Sequence, residues 1–286
     1  MDSRRKNADS EDEDMNFSFQ TKKLTEHVTQ IADPTGVSCF LITGRERAVL
    51  IDTAVGFVGL RSTVESLTDL PVTVILTHGH GDHAGGAGEF DTVYLHPLDL
   101  PLLQVHGLSM RMGYAGAMLG PDTVLLEENF VPARDRAFEE LGDGALFELG
   151  GITVEIIHVP GHTKGSCCVL IREERMMIYG DACNGNTLVM DQASTDISTY
   201  RKSLEYLKTF DDAYDTVCYS HGPAIGPRRS LDDNIELCKR ILAGTDDAVP
   251  CEFMGRAAIR AAEIRGHFER VDGGYGNIVY SELTRR

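Results

Sequence analysis

Six consecutive residues in the first third of the chain contain four side chains of the types that bind transition metals. The segment reads HGHGDH, and its candidate ligands are His78, His80, Asp82 and His83. Imidazole nitrogens and a carboxylate held this close together are typical of sites for a borderline divalent cation such as zinc. The two intervening glycines allow the backbone to bend so that alternate side chains converge. The segment therefore predicts a metal site.

Three further candidate ligands occur downstream, each where a predicted strand ends. They are His162 in VPGHTKGS, Asp181 in MIYGDA and His221 in CYSHGP. Side chains that follow strand ends start from rigid supports, which favours a preorganised site. Asp52, at the end of the run VLID, is predicted to orient the ligand loop rather than to bind metal itself. Chance would have to supply both the tight cluster and three ordered partners, so we interpret the seven residues as one site.

This pattern resembles the metallo-β-lactamase superfamily, whose motif HxHxDH matches residues 78–83. The later family ligands, a His after a hairpin, an Asp after the next strand and a His near the C-terminal third, match His162, Asp181 and His221 in that order. The resemblance spans roughly residues 20–245. It implies an α/β (α+β) protein with the four-layer αββα metallo-β-lactamase sandwich, in which two mixed β-sheets are flanked by helices.

The resemblance also implies two divalent metal ions. Their implied ligands are His78, His80 and His162 for one ion, Asp82, His83 and His221 for the other, and Asp181 as the bridge. Two cations that share a hydroxide lower the pKa of bound water, supply a nucleophile and stabilise the oxyanion that forms. Asp82 is in addition the implied catalytic residue, which accepts a proton and returns it near the leaving group. Zinc is the favoured metal, with iron and manganese as alternatives because they accept the same ligand types.

Short apolar runs alternate with the turn-forming residues Gly, Asp and Asn. This pattern predicts the strands and helices that position the candidate ligands. Strands are predicted at SCFLIT, RAVLIDT, VTVILT, TVCYS and NIVYS, with strand pairs in ALFELGGITVEIIHV and SCCVLIREERMMIYGD. Helices are predicted at about residues 58–69, 98–104, 196–208, 231–242 and 253–264.

The chain is predicted to consist of a disordered tail and one hydrolase domain. Residues 1–16 carry charge without periodic apolar positions, which is typical of disorder, and the domain covers 17–286. Within the domain, the Met- and Gly-rich segment 101–121 is predicted to be a lid insertion and 251–286 a C-terminal extension. The candidate substrate contacts are His106, Arg111 and Tyr114 in the lid and Asn184 after Asp181. A solvated loop position for His106 and a turn cap for Asn184 are the competing interpretations.

Composition excludes several classes of partner. The chain has 44 acidic and 27 basic side chains and a formal net charge of −17, so its field repels phosphate backbones and anionic membranes. No nucleic-acid or membrane partner is therefore expected. Because no apolar run reaches the roughly 20 residues that span a bilayer and the N-terminus is polar, a cytoplasmic location is expected. The seven cysteines, without a CxxC pair, predict reduced, buried thiols.

The sequence thus predicts a binuclear metal-dependent hydrolase that uses a metal-bridging hydroxide. Its substrate would be a small, partly apolar molecule with an ester, lactone, thioester or amide bond. The alternatives are a phosphodiesterase acting on a small phosphoester and an iron-dependent redox enzyme on the same fold. A non-enzymatic metal-binding protein is disfavoured because the ligand set is complete. The identity of the substrate and the oligomeric state, including a homo-oligomer, are left open.

Overall fold

Two β-sheets and their flanking helices are described by a computed structural model that covers residues 17–266 and 269–286. The tail predicted at residues 1–16 lies outside the described residues. The helices are α1 (Leu60–Leu67), α2 (Gly81–Ala84), α3 (Leu100–Val105), α4 (Leu108–Leu119), α5 (Ile197–Lys208) and α6 (Ser230–Ala243). The strands are β1 (Gln20–Lys23), β2 (Val28–Ala32), β3 (Ser38–Thr43), β4 (Ala48–Ile51), β5 (Val72–Ile75), β6 (Val93–Leu95), β7 (Glu139–Glu140), β8 (Leu146–Glu148), β9 (Thr153–His158), β10 (Cys167–Ile171), β11 (Met176–Gly180), β12 (Thr187–Val189), β13 (Thr216–Tyr219), β14 (Ile225–Gly226), β15 (Val249–Phe253), β16 (Arg256–Arg260), β17 (Ile264–Arg265), β18 (Glu269–Arg270) and β19 (Ile278–Tyr280).

The two large sheets are both mixed. The first has the order β1-β2-β3-β4-β5-β6-β7, antiparallel up to β4 and parallel from β4 to β7. The second has the order β14-β13-β11-β10-β9-β8 and contains one parallel pair, β11 with β13. Each sheet therefore has parallel neighbours whose C-terminal ends point the same way, which favours a site built from the loops that follow them.

Side chains along each strand alternate in direction, and so they pack into different layers of the core. In β3, Phe40 and Ile42 point between the two sheets, where they pack with Val154 of β9. Cys39 and Leu41 point to the opposite face and pack with α1. Because successive side chains of a strand face opposite ways, a strand buried on both faces must be largely apolar, as residues 39–42, CFLI, are.

The second sheet is covered in the same way. Cys168 and Leu170 of β10 face outward and pack against α5 and α6, whose buried side chains include Leu204 and Ile235. The layers follow as helices, sheet, sheet, helices. The predicted αββα sandwich with two mixed sheets is confirmed.

The predicted helix at residues 253–264 is wrong. The segment forms the antiparallel pair β15 and β16, which joins β12 and β19 in a separate four-stranded sheet. Met254 and Gly255 connect the two strands, and both have positive φ angles, 48° and 73°. Two consecutive residues with positive φ form the tight turn whose twist suits a β-hairpin. The predicted C-terminal extension, residues 251–286, contributes this hairpin and β19.

The segment at residues 101–121, which was predicted to be a lid, contains most of α3 and all of α4. Ala115 is fully buried in the outer layer of the first sheet, and Leu108 and Met112 pack against the same cluster. Apolar residues occur on several sides of α4, and for this reason the sequence has no clear helical period.

The prediction of reduced, buried cysteines agrees with the structure. All seven cysteines are free, and six of them are buried. Among the described residues, no helix combines the length and the apolar character needed to cross a membrane.

Candidate metal centre

The predicted ligands come from loops that follow strands of both sheets. His78 follows β5 after two residues, and the rest of the HGHGDH segment continues directly into α2. Asp181 follows β11 immediately, His221 follows β13 after one residue, and His162 lies in the loop from β9 to β10. Because β11 and β13 are parallel neighbours, their C-terminal ends bring Asp181 and His221 together.

Three imidazoles form the first cluster. His80 Nδ1 lies 3.1 Å from His78 Nε2 and 2.9 Å from His162 Nε2. The proton of His162 is on Nδ1, which donates to the carbonyl of Leu188 at 2.7 Å. The proton of His78 is on Nδ1 as well, because its partner at 3.1 Å, the hydroxyl of Thr77, itself donates to a carboxylate. The Nε2 lone pairs of His78 and His162 thus both point at His80 Nδ1. This arrangement fits a bound cation.

A second cluster lies beside the first and consists of His83, His221 and Asp82. His83 Nε2 is 3.1 Å from His221 Nε2, which is 3.5 Å from Asp82 Oδ2. The other nitrogen of His83, Nδ1, donates to Asp52 Oδ2 at 2.8 Å, so its Nε2 lone pair also points into the site. The second cluster therefore offers two nitrogens and a carboxylate oxygen to a cation.

Asp181 contacts both clusters. Its Oδ2 lies 3.7 Å from His162 Nε2 in the first cluster, and 3.7 Å from His83 Nε2 and 3.3 Å from His221 Nε2 in the second. Its Oδ1 is buried without a hydrogen-bond partner within the protein. A buried carboxylate oxygen without a donor is costly unless a cation satisfies it. The donor set and this orphaned oxygen both fit a pair of divalent metal ions.

Burial sets the charge of the first cluster. It lowers the pKa of His78 and of His80 well below the usual range, and the neighbouring imidazoles lower both further. These side chains are therefore neutral, which is the form that binds a metal through a ring nitrogen.

In the second cluster, the effect of nearby charges on the pKa values outweighs the effect of burial. Burial lowers the pKa of His83, but the nearby carboxylates, first Asp181 and then Asp82, outweigh it and raise that pKa well above its usual value. Burial likewise opposes ionisation of Asp181, but the imidazoles of His221 and His83 hold its pKa well below the usual range. Without a metal, this half is an imidazolium and carboxylate network.

The site is open on the side of the second cluster. In the first cluster His78 is 1% and His162 4% exposed, and His80 is partly exposed; in the second cluster His83 is fully buried. The side chain of His221, by contrast, is 33% exposed and that of Asp82 is 18% exposed. A substrate would therefore reach the site beside Asp82 and His221.

Two of the four candidate substrate contacts adjoin the site. The His106 ring stacks on His80 with 4.7 Å between centroids, and its Nδ1 accepts a hydrogen bond from Gly81 N–H at 3.1 Å. Burial raises the pKa of the Tyr114 phenol, and the nearby carboxylates, Asp82 first, raise it further. Both residues remain candidates for contact with substrate.

The structure assigns other tasks to Arg111 and Asn184. Arg111 is 5% exposed, and its guanidinium donates to three backbone carbonyls, those of Val55, Gly85 and Val131. These contacts tie three loops together. Asn184 Oδ1 accepts from the N–H of Asn186 at 2.8 Å, as in the turn-cap interpretation. Substrate contact by either residue stays a prediction.

Asp52 supports the second cluster, as predicted. It accepts hydrogen bonds from His83 Nδ1 and from the N–H and hydroxyl of Thr77. Its φ angle of 63° lies in the left-handed region, which Asp tolerates better than most residues but which still carries strain. Strained backbone at a position that orients a ligand is common in functional sites.

Changing Asp52 to Asn is expected to weaken metal binding at the second cluster by about 10- to 100-fold. The amide group must face either the Thr77 N–H or the His83 Nδ1–H, and each is a donor that needs an acceptor. Competition with a chromophoric chelator measures the change. Asp33→Asn is the matched control, because Asp33 is also a buried carboxylate that accepts from backbone and threonine donors. Equal affinities in the two variants would contradict the prediction.

A family model described as the metallo-beta-lactamase superfamily matches residues 32–221, well over half of the chain. The chain belongs to this superfamily. The solved structure of a metallo-beta-lactamase from Pontibacter korlensis superposes with a TM-score of 0.56 at 18% identity, covering 78% of this chain and 99% of that one. At that identity the likeness concerns the superfamily fold alone.

Two curated relatives in the superfamily have printed activities. Atrochrysone carboxyl ACP thioesterase of Claviceps purpurea is 27% identical over 195 residues, which are 66% of this chain and 52% of the relative. Acyl-coenzyme A thioesterase MBLAC2 of Homo sapiens is 26% identical over 188 residues, 59% of this chain and 66% of the relative. The chain thus spans between half and two thirds of the length of these relatives. The thioesterase activities are those of the relatives.

Sequence reasoning missed the polar residues around the ligands. Thr77 hydrogen-bonds both Asp52 and His78, and the carbonyl of Leu188 fixes the tautomer of His162. Asp99 accepts hydrogen bonds from two of the loops that carry candidate ligands. Thr77 could have been noticed as the residue directly before the metal motif, but nothing in the local sequence marks the other two.

Proposed function

We propose that the chain is a binuclear metal hydrolase that cleaves a thioester with a partly apolar acyl group. The observation that carries the proposal is the convergence of two ligand clusters on Asp181, whose Oδ2 is within 3.7 Å of nitrogens in both. The seven side chains are the proposed ligands, with His78, His80 and His162 for one ion and Asp82, His83 and His221 for the other. Zinc is the proposed metal.

Bound there, two divalent cations would lower the pKa of a shared water and polarise the carbonyl of the substrate. The protein side chains supply the rest. Asp82, at the open side, accepts the proton of the water as its oxygen bonds to the carbonyl carbon. The carbon–sulfur bond then breaks, and Asp82 returns the proton to the thiolate, so that the products are a carboxylic acid and a thiol. His106 and Tyr114 border the same opening.

Two independent features favour a thioester with an apolar acyl group. Two relatives with a printed activity are thioesterases, one for an acyl-coenzyme A and one for a carrier-protein thioester. In addition, α4 has exposed methionines, Met110 and Met118, one turn before and one turn after Tyr114. Side chains spaced by four residues share one face of a helix, so the methionines flank Tyr114, whose phenol lies near the Asp82 carboxylate. Methionine adapts to varied apolar shapes.

Purified protein is expected to carry about two metal ions per chain and to hydrolyse acyl thioesters. The test uses elemental analysis and a panel of acyl-coenzyme A and acyl-N-acetylcysteamine thioesters of increasing chain length, with release of the thiol as the readout. Oxygen esters, lactones, an amide and a model phosphodiester complete the panel. The variant His80→Ala serves as the negative control, because it removes a nitrogen shared by two short contacts.

Specific results would contradict the proposal. Metal content near zero, or undiminished turnover by His80→Ala, would exclude the metal-dependent chemistry. Preference for the phosphodiester over every thioester would move the assignment to the phosphodiesterase class, and a preference for a lactone or oxygen ester would change the substrate while keeping the mechanism. Bound iron with a redox-active spectrum would point to the redox alternative.

A further inference from the structure

A buried carboxylate outside the ligand set joins two of the ligand loops. Asp99 lies four residues after β6 and is 1% exposed. Its Oδ2 accepts hydrogen bonds from Gly79 N–H at 2.9 Å and from the hydroxyl of Thr163 at 2.6 Å. Its Oδ1 accepts from Gly165 N–H at 2.7 Å. Three donors from two separate loops therefore meet on one side chain.

The two loops that Asp99 joins both provide ligands of the first cluster. Gly79 lies between His78 and His80, and Thr163 directly follows His162. His80 and His162 are 82 residues apart in the chain, yet their facing nitrogens are 2.9 Å apart. A ligand pair from distant segments needs a support that fixes one segment against the other, because small displacements of a ligand weaken a metal site.

The glycines on both sides of Asp99 show how closely it is held. A Cβ at Gly79 would lie 2.7 Å from the Asp99 carbonyl oxygen, and one at Gly165 would lie 2.6 Å from Asp99 Cγ. Both distances are too short for real atoms, so a side chain at either position would displace Asp99. The first glycine of HGHGDH therefore has a second purpose besides loop bending, since it lets the carboxylate reach the backbone.

The second cluster has supports of its own. His83 is held by Asp52 through Nδ1, and its carbonyl accepts from Thr53 N–H at 2.7 Å. The loop of His221 is anchored to the first sheet, where Ser38 N–H donates to the carbonyl of Ser220 at 2.8 Å. Neither contact involves Asp99. Loss of Asp99 should thus affect the two halves of the centre unequally.

We propose that Asp99 is a positioning residue for the first cluster, and that it controls whether this half of the centre holds its metal. The inference rests on the two-metal centre proposed above. The isosteric change Asp99→Asn keeps the volume but places an amide N–H against the N–H of Gly79 or of Gly165. That mismatch separates the two loops and the nitrogens of His80 and His162.

The experiment measures the affinity of each half for metal, independently of turnover. Wild type, Asp99→Asn and the control Asp33→Asn are loaded with Co²⁺, and the ions are titrated out with a chelator while the visible spectrum is recorded. His162→Ala and His221→Ala supply the reference spectra of proteins with one damaged half each. Asp99→Asn is expected to lose one ion about 10- to 100-fold more easily than wild type and to approach the spectrum of His162→Ala.

The possible results separate this inference from the function on which it rests. If wild type binds fewer than two ions, the binuclear proposal fails and the inference with it. If wild type binds two and Asp99→Asn holds both with unchanged affinity, or loses both equally, only the role of Asp99 is overturned. Should Asp99→Asn fail to fold, Thr163→Val removes one hydrogen bond to Asp99 together with the contact to Ser166 Oγ, and Ser166→Ala, which removes the latter and leaves the bond to Asp99 in place, is its control. Thr163→Val must show the same selective loss on a smaller scale and Ser166→Ala must not; unchanged affinities in Thr163→Val would refute the proposal.

Discussion

Replacing Asp181 with alanine is expected to lower kcat by about 10³-fold and to reduce the metal content of the protein. Asp181 contacts nitrogens of both clusters, so its loss removes a proposed ligand from each metal ion at once. It also removes the carboxylate that balances the surrounding imidazoles. An electrostatic group lost from a preorganised site typically costs about 10²- to 10³-fold in rate, and loss of metal adds to this. Steady-state kinetics with elemental analysis measures both effects.

The control for this variant is Asp135→Ala, which removes a carboxylate that is 94% exposed and absent from both clusters. It is expected to keep wild-type turnover and metal content. Circular dichroism and the unfolding midpoint show whether Asp181→Ala still folds. A folded Asp181→Ala protein with two ions and more than about a tenth of wild-type kcat would contradict the bridging role.

The sequence identified the candidate ligands because their chemistry is local. His78, His80, Asp82 and His83 lie within six residues, and the other three follow apolar strands that can be recognised from composition. The strands in turn were predictable because both faces of each sheet are buried, so that runs such as CCVLI are apolar throughout. The order of the candidate ligands along the chain was then enough to indicate the family and its fold.

What the sequence could not predict depends on contacts between distant residues. Asp99 meets donors that are 20, 64 and 66 residues away, and no local pattern encodes such a meeting. Arg111 was a candidate for substrate binding because it lies in the Met- and Gly-rich segment 101–121, which was predicted to be a lid. It is instead buried, since three carbonyls from distant loops compensate its guanidinium.

The helix prediction for residues 253–264 failed for a different reason. The residues around Phe253–Ile264 include several alanines and charged residues, which favour a helix by intrinsic preference. Pairing of β16 with β19 and the turn at Met254 and Gly255 outweighed that preference. Tertiary pairing decides such segments, because helix preferences amount to less than about 1 kcal/mol per residue.

The two halves of the centre differ in a way that assigns them different tasks. The first is the more closed half: His78 and His162 are buried, and Thr77, Leu188 and Asp99 hold the side chains and loops of this cluster. The second is open, and its carboxylate and imidazole at the surface are Asp82 and His221. A rigid closed half suits permanent metal binding, whereas an open half suits contact with substrate and exchange of protons. This asymmetry explains why Asp82, rather than Asp181, is the proposed proton carrier.

Removal of metal by chelation is expected to abolish turnover and to lower the unfolding midpoint by on the order of 10 °C or more. A ligand at about 1,000 times its Kd stabilises the folded state by about 4 kcal/mol, and two ions by about twice that. About 1 kcal/mol corresponds to roughly 2–4 °C for a domain of about this size. Differential scanning calorimetry before and after chelation, and again after zinc is restored, measures the effect. His221→Ala is the comparison, because a protein with one damaged half has less metal to lose and should show a smaller drop. An unfolding midpoint that chelation leaves unchanged in a fully loaded wild-type protein would mean that the seven side chains do not hold the ions, since ions bound by the folded state must stabilise it.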